Sequence, residues 1–167
     1  MKIKLKDVFK QLTSFLLPVF VLIIMPLLIE SNFIFSMNII SIVGLMILLI
    51  GLATMILTIR MFIQLGEGTL APWSPTRKLV IFGLYRYMRN PMILGVSLVL
   101  SGESILFRSY RIAVWLAVFF LTNHFYFLLS EEPGLEKRFG WEYVDYKKNV
   151  PRWIPRLTPW NPQDKEE

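Results

Sequence analysis

The stretch IISIVGLMILLIGLATMILTI, residues 39–59, contains no charged side chain. An α-helix rises about 1.5 Å per residue, so a helix of this length crosses the roughly 30 Å hydrocarbon core of a bilayer. Backbone amides and carbonyls find no water inside lipid, and a helix pairs all of them within one segment. The stretch therefore predicts a transmembrane helix and a helical membrane protein.

Three further apolar stretches predict an all-α integral membrane protein with about four transmembrane helices. They cover residues 15–29, 91–107 and 112–129. Pro18 and Pro26 lie inside the first stretch, and each removes a helical hydrogen bond, so we predict a kink there. The same stretch has features of a signal peptide, but no small-residue cleavage site follows it, so we predict a retained helix.

The composition excludes several kinds of site. The 167 residues include no cysteine and one histidine, His124. Disulfides, thiolate metal sites, a cysteine nucleophile and sites that need two histidines are therefore excluded. Carboxylate-only metal sites stay open, but we predict no metal. His124 lies in the fourth span, and we favour a hydrogen-bonded packing histidine over a functional one.

Lysine and arginine are concentrated on one side of the predicted spans. They lie in the N-terminal arm, the loop before the third span and the C-terminal tail, whereas the link after the third span has only Arg108 and Arg111. By the positive-inside rule, both termini and the functional segments face the cytoplasm, and we expect a multi-pass protein of a prokaryotic cytoplasmic membrane. The net charge of +6 then reflects topology, and we predict no nucleic-acid partner. Glu103 is expected to pair with one of the two linking arginines.

The loop after the second span begins with QLGEGTLAPWSP, which contains Gly66 and Gly68. Two glycines at this spacing permit close backbone approach to a cofactor, although glycines also simply end helices. We divide the chain here. Residues 1–65 form an N-terminal pair of transmembrane helices, and residues 66–167 form a core of cofactor loop, two transmembrane helices and C-terminal cytoplasmic segment.

The segment GLYRYMRNPM, residues 83–92, leads into the third span. Asn90 is placed to cap that helix, with Pro91 at its first position. Arg86 and Arg89 precede the helix, where cations oppose the helix dipole. A lipid phosphate, a protein carboxylate or a ligand carboxylate would remove that penalty, and snorkelling to lipid headgroups is the alternative.

Glu131 and Glu132 follow the fourth span, where acids at a helix C-terminus are also unfavourable. Arginines and acids thus lie at unfavourable helix ends on the same side of the membrane. We predict that they pair, either as a structural ion pair or around a ligand. The apolar residues of segment 135–146 have the spacing of an amphipathic helix on the membrane surface, which Gly140 weakens.

Four motifs occur in order over residues 66–155: G-x-G-T-L-x-P, G-L-Y-R-Y-x-R-N-P-M, E-E-x-x-L and F-G-x-E-Y-x-x-Y-K-K-x-V-P. This order resembles the isoprenylcysteine carboxyl methyltransferase family and the related phospholipid N-methyltransferases, which are integral membrane enzymes that use S-adenosylmethionine. The first two spans resemble only generic membrane helices.

The resemblance implies a cytoplasm-facing cofactor pocket and a lipophilic or lipidated acceptor that enters from the bilayer. The residues that it places beside S-adenosylmethionine are Gly66, Gly68, Tyr85, Arg89, Asn90, Pro91, Glu131, Glu132 and Tyr143. As catalytic candidates we select Arg89, Glu132 and Arg152. Arg89 holds either the cofactor carboxylate or an anionic acceptor group, and the glutamates hold ribose hydroxyls or the cofactor ammonium.

Two departures from the family pattern leave the acceptor open. Asn90 stands where the carboxyl methyltransferases usually have histidine, and Asn149 stands where they have a basic residue, with Arg152 following instead. The acceptor is therefore either isoprenylcysteine carboxylate-like or phospholipid amine-like, and the oligomeric state is open.

Methyl transfer fits the residue inventory because it needs positioning and exclusion of water but no metal. Two alternatives are a small membrane reductase that uses NADPH and resembles the sterol reductase core, and a non-enzymatic membrane protein whose charges are structural. Sterol reductases are longer and have more spans than 167 residues allow.

Overall fold

The computed structural model describes residues 16–65 and 79–161, in which the regular structure is helical and contains no strand. The helices of this part are α1 (Leu16–Ile29), α2 (Ile39–Leu65), α3 (Pro91–Leu106), α4 (Tyr110–Phe139) and α5 (Trp141–Asn149), with a 3-10 turn at Gly83–Arg86. Helices α2 and α4 are long and apolar enough to cross a bilayer, whereas α1 and α3 are shorter apolar helices. The all-helical architecture is confirmed for the described residues, with two helices that could cross a bilayer, and the count of four spans stays a prediction.

Helices α2 and α3 form the most extensive contact between the described helices. Each contributes two glycines seven residues apart: Gly44 and Gly51 from α2, and Gly95 and Gly102 from α3. A Cβ added at Gly51 would lie 2.6 Å from the backbone nitrogen of Val99, so the two backbones touch. Small residues at such contacts matter in lipid, where helices associate through close van der Waals packing.

Two prolines inside the spans are each preceded by a π-helical turn. The turns cover Phe20–Ile24 in α1 and Phe127–Glu131 in α4, and Pro26 and Pro133 each come two residues after the turn ends. In both turns the amide that follows bonds to the carbonyl five residues back. A proline ring clashes with the carbonyl of the preceding turn, and the wider π-turn relieves that clash. In α1 the structure thus shows a π-turn before Pro26, and the predicted kink stays a prediction.

The π-turn of α1 leaves a carbonyl that α4 satisfies. The amide of Met25 is used in the turn and Pro26 has no amide hydrogen, so the Val21 carbonyl lacks a helical donor. The indole Nε1 of Trp115 donates to this oxygen at 3.1 Å. An unpaired carbonyl is costly in an apolar environment, so this hydrogen bond fastens α1 to α4.

We call the end at which α2 ends and α3 begins the site end of the bundle. At the opposite end, the buried carboxylate of Glu30 accepts a hydrogen bond from the Ser109 hydroxyl at 2.5 Å and lies 3.4 Å from Arg111 Nη1. The expected pairing of Glu103 is wrong, because Arg111 pairs with Glu30 and one carboxylate oxygen of Glu103 is buried without a hydrogen-bond partner.

Helix α4 continues past the apolar span to Phe139, and Gly140 separates it from α5. Gly140 has φ +55°, a left-handed conformation that glycine adopts without a steric penalty. The single amphipathic helix predicted over residues 135–146 is therefore wrong. Tyr143 and Tyr146 are buried in a cluster with Trp160, so these side chains pack inside the protein and do not lie on a membrane surface.

A bulky residue at the α2–α3 contact should destabilise the fold. In Gly51→Leu the new side chain meets the α3 backbone, which cannot move aside, and overpacking of this kind costs about 1–3 kcal/mol or more. The measurement is thermal unfolding in detergent, and Gly134→Ala is the control because a Cβ there meets nothing within 4 Å. Wild-type stability of Gly51→Leu would show that the two backbones are not in contact.

The Trp115 hydrogen bond has its own test. Trp115→Phe keeps an aromatic ring but leaves the Val21 carbonyl unpaired, which costs about 1–3 kcal/mol. Denaturant titration in micelles measures the loss, and the exposed Trp141→Phe is a matched control with no expected effect. Equal stability of the two variants would argue against the fastening role.

Candidate active site

The segment that leads into α3 is held by the C-terminal tail, residues 150–161. Three backbone hydrogen bonds of 2.9 Å join them, from Arg89 to Pro151, from Arg156 to Tyr87 and from Trp160 to Arg86. The Arg86 side chain donates from Nε to the Trp160 carbonyl at 2.8 Å, so this arginine fastens the tail. Arg89 is thereby placed by its backbone as well as by its side chain.

Two buried tyrosines support the same segment. The Tyr146 hydroxyl donates to the Tyr85 carbonyl at 2.7 Å. Burial raises the pKa of both Tyr85 and Tyr146 above the ordinary tyrosine value, so both hydroxyls keep their protons at physiological pH. They are therefore hydrogen-bond donors and not bases.

The carboxylate of Glu132 is the centre of the charged cluster. Its side chain is 3% exposed, and its Oε1 accepts from Arg89 Nη1 at 2.7 Å and from Arg152 Nε at 2.6 Å. Lys147 Nζ lies 3.3 Å from Oε2. Three cations from three parts of the chain thus converge on one buried acid.

The outer edge of the cluster is more exposed. Lys147 also donates to Glu136 at 2.7 Å, and this hydrogen bond is the main cause of a raised Lys147 pKa, so the ammonium stays charged at neutral pH. Tyr143 lies 3.4 Å from Arg89 Nη1, and burial raises its pKa as well. The cluster therefore holds three cations against two carboxylates, and the buried Arg89 Nε has no hydrogen-bond partner.

A cavity of about 510 Å³ opens beside this cluster. Its polar part is lined by side chains from the segment before α3, from α4 and from α5: Tyr85, Arg89, Asn90, Tyr126, Glu131, Glu132, Arg138, Tyr143 and Tyr146. Its apolar part is lined by α1, α3 and the spanning part of α4, including Leu17, Phe20, Val21, Ile93, Val96, Trp115 and Phe119. One continuous cavity thus connects a charged end to the interior of the helix bundle.

The structure brings most of the predicted site residues to the polar part of this cavity. Pro91 is fully buried at the first position of α3 and is not among the lining residues. Arg152 also lies off the cavity wall and contacts it through Glu132. Gly66 and Gly68 lie outside the described residues, so their cofactor role stays a prediction.

Two local predictions need correction. Asn90 does occupy the N-cap position of α3, but its side chain makes no capping hydrogen bond and lines the cavity instead. The predicted pairing of Arg89 with Glu132 is present, yet Glu132 does not lie at a helix C-terminus, because α4 continues to Phe139. Both charges are buried, and a buried charge without a partner is costly. Burial therefore explains the pair better than unfavourable helix dipoles at two helix ends.

Several cavity and cluster residues escaped the sequence predictions. Lys147 stands in the Y-K-K motif, but nothing in a linear pattern shows that Gly140 turns it toward Glu132. The sequence of α1 is generally hydrophobic and did not indicate that this helix lines the cavity. The one usable clue was Pro26, which removes a helical donor and so calls for an outside donor such as Trp115.

His124 makes the packing contact that we favoured. Its Nδ1 accepts a hydrogen bond from Trp153 Nε1 at 3.0 Å, and the two rings lie beside Phe120. His124 is not among the lining residues of the cavity. Among the described residues, no group of three or more histidine or acidic side chains is arranged to hold a metal ion.

The fold and the cavity define a helical membrane protein with a charged pocket that continues into an apolar one. The family model of the phospholipid methyltransferases matches residues 39–142, more than half of the chain, and the chain belongs to this family. The matched region begins with α2, a helix that we had interpreted as generic, and ends before Tyr143 and Arg152. No curated protein and no solved structure matches the chain.

Removing the central carboxylate should destabilise the protein. Glu132→Ala leaves Arg89 and Arg152 buried without their common partner, and such a loss costs about 3–5 kcal/mol. Denaturant titration in mixed micelles measures the change in unfolding free energy, with the exposed Glu142→Ala as the control. If the two variants are equally stable, the Glu132 ion pairs do not hold the structure together.

Proposed function

We propose that this chain is an S-adenosylmethionine-dependent methyltransferase that acts on a lipophilic acceptor drawn from the bilayer. The family supports methyl transfer in a membrane. The observation that carries the proposal is the single cavity, in which the Arg89–Glu132 cluster lies at one end and an apolar wall from α1 and α4 at the other. A charged cofactor and a lipid chain have complementary surfaces at these two ends.

The polar end has the groups that S-adenosylmethionine requires. Arg89 Nε is buried and has no partner, and the cluster around it has an excess of cations, which suits a carboxylate. Glu131 lines the cavity and accepts a 3.3 Å hydrogen bond from the Tyr126 hydroxyl, and a carboxylate has further acceptor capacity that suits an ammonium or ribose hydroxyls. The fit is one of donor and acceptor chemistry at the cavity wall.

Held by Arg89 and Glu131, S-adenosylmethionine would supply an electrophilic methyl group for transfer to the acceptor. The protein's residues would orient the reacting groups and enclose them. The Arg89 side chain is held by Glu132 and its backbone amide by the Pro151 carbonyl, so its guanidinium group is positioned before a ligand binds. The apolar residues Ile93, Val96 and Phe119 line the cavity and would keep water from the reacting groups.

The class of the acceptor depends on whether a side chain of the site can accept a proton. A carboxylate acceptor needs no base, whereas an amine must lose a proton before or during transfer. The protonated tyrosines cannot accept that proton, which leaves Glu131 as the available carboxylate on the cavity wall. We propose an amphiphile with a carboxylate or an amine beside its hydrocarbon chain, and a screen with radiolabelled cofactor on extracted membrane lipids distinguishes them.

We further propose that the site end of the bundle faces the cytoplasm. The site end has most of the lysine and arginine of the described residues, whereas Arg108 and Arg111 lie at the opposite end. That asymmetry follows the positive-inside rule. The cofactor would then enter from the cytoplasm and the acceptor from the bilayer.

Calorimetry on the purified chain in detergent tests the proposal. We expect S-adenosylmethionine and its demethylated product to bind, and Arg89→Ala to weaken that binding at least tenfold, which is about 1.4 kcal/mol. Arg89→Ala leaves Glu132 paired with Arg152 and Lys147, so the fold is expected to persist.

The matched control is Lys148→Ala, which removes an exposed cation next to the cluster and should bind like wild type. No binding by folded protein would overturn the proposal, as would thermal stabilisation by NADPH in place of S-adenosylmethionine. Wild-type affinity of Arg89→Ala would instead show that the cofactor lies elsewhere.

A further inference from the structure

The C-terminal tail contacts the apolar part of α4 through one side chain. Trp153 donates a hydrogen bond to His124, and its ring lies 4.9 Å from Phe120 and 6.1 Å from Phe127, measured between ring centroids. These three α4 residues share one face of the helix, at spacings of four and three residues. The tail therefore folds back along the outside of a candidate membrane span.

The position of His124 sets the depth of that contact. It lies seven residues before Glu131, the first charged residue on this side of α4, and a helix rises about 1.5 Å per residue. The Trp153 indole therefore lies about 10 Å toward the middle of the span from the level of Glu131. Tryptophan at the edge of the apolar layer is typical of the membrane interface.

Next to Trp153, the charged side chains bond inside the protein and the apolar side chains are exposed, which is the reverse of the usual arrangement. The arginines turn inward: Arg152 bonds to Glu132, and Arg156 bonds through Nη1 to the Asn149 carbonyl at 2.6 Å. The apolar side chains turn outward, with Ile154 79% exposed and Leu157 100% exposed. Water favours the reverse arrangement, so these two side chains mark a surface that meets an apolar partner.

We propose that the lipid bilayer is that partner, and that residues 153–157 insert into its interfacial layer with Ile154 and Leu157 as anchors. Trp153 joins this segment to the apolar part of α4, where Leu121, Phe125 and Leu129 are also exposed, as expected for a helix in contact with lipid. The tail is thus a membrane-bound segment and not a solvated extension. This inference does not depend on the proposed methyltransferase activity.

Insertion of this segment also bears on the charged cluster. Arg152 immediately precedes Trp153, and its Nε lies 2.6 Å from Glu132. A bilayer that holds Trp153 and Ile154 therefore also holds Arg152 at the cluster. Arg152 does not line the cavity, so lipid binding by the tail acts on the cavity wall through Glu132.

The absence of cysteine makes site-directed spin labelling straightforward. Leu157→Cys and Ile154→Cys are labelled in vesicles of phosphatidylcholine and phosphatidylglycerol, with Leu121→Cys as the lipid control and the exposed Glu142→Cys as the water control. Collisions with oxygen, which concentrates in lipid, are compared with collisions with a water-soluble nickel chelate present on both sides of the vesicle. All four positions are exposed, so the labels should leave the fold intact.

We expect an oxygen-to-nickel collision ratio at Leu157 and Ile154 that is several-fold higher than at Glu142 and lower than at Leu121, which lies deeper in the span. Nickel access at Leu157 equal to that at Glu142 would place the tail in water and overturn the proposal. Low access to both reagents would also overturn it, because it would mean that a second copy or another protein covers the surface.

Discussion

The buried carboxylate of Glu132 is the contact on which the arrangement of the site depends. It joins the segment before α3 through Arg89, the helix α5 through Lys147 and the tail through Arg152. A lone carboxylate at this depth would be unstable, and without it Arg89 and Arg152 would lose their common partner, so these ion pairs depend on one another. Within the described residues, the buried Arg89 Nε and Glu132 Oε2 have no hydrogen-bond partner, so the hydrogen-bonding capacity of the cluster is not fully used.

Glu132 reaches this position because α4 does not end where its apolar run ends. A π-turn at Phe127–Glu131 precedes Pro133, and the helix then continues to Phe139. A π-turn adds a residue to one turn and so changes which side chains face the bundle. The same combination, a π-turn followed by proline, occurs in α1 and leads to the Trp115 hydrogen bond. Both irregular turns border the cavity, so they shape the site as well as accommodate a proline.

The sequence predicted those features that rest on local pattern or on charge. The length of the apolar stretches predicted the helices. The positions of opposite charges near the same membrane face predicted the pairing of Arg89 with Glu132. Features that rest on a single dihedral angle or on distant contacts were not predictable. Gly140, with φ +55°, breaks the expected amphipathic helix and turns Lys147 toward Glu132. The apolar wall from α1 depends on a hydrogen bond between residues 94 positions apart.

The tail and α1 together explain how one cavity has a polar end and an apolar end. Helix α1 supplies an apolar wall along the span, and the Trp115 hydrogen bond to Val21 fixes it against α4. The tail fixes the polar end by pairing its backbone with the segment before α3 and by placing Arg152 on Glu132. Trp153 contacts α4 within its apolar part, and its neighbour Arg152 bonds to Glu132, so the cluster lies next to the apolar part of α4. In the proposed reaction, a polar cofactor and a membrane-dissolved acceptor would meet inside the protein, each approaching through the part of the cavity that suits it.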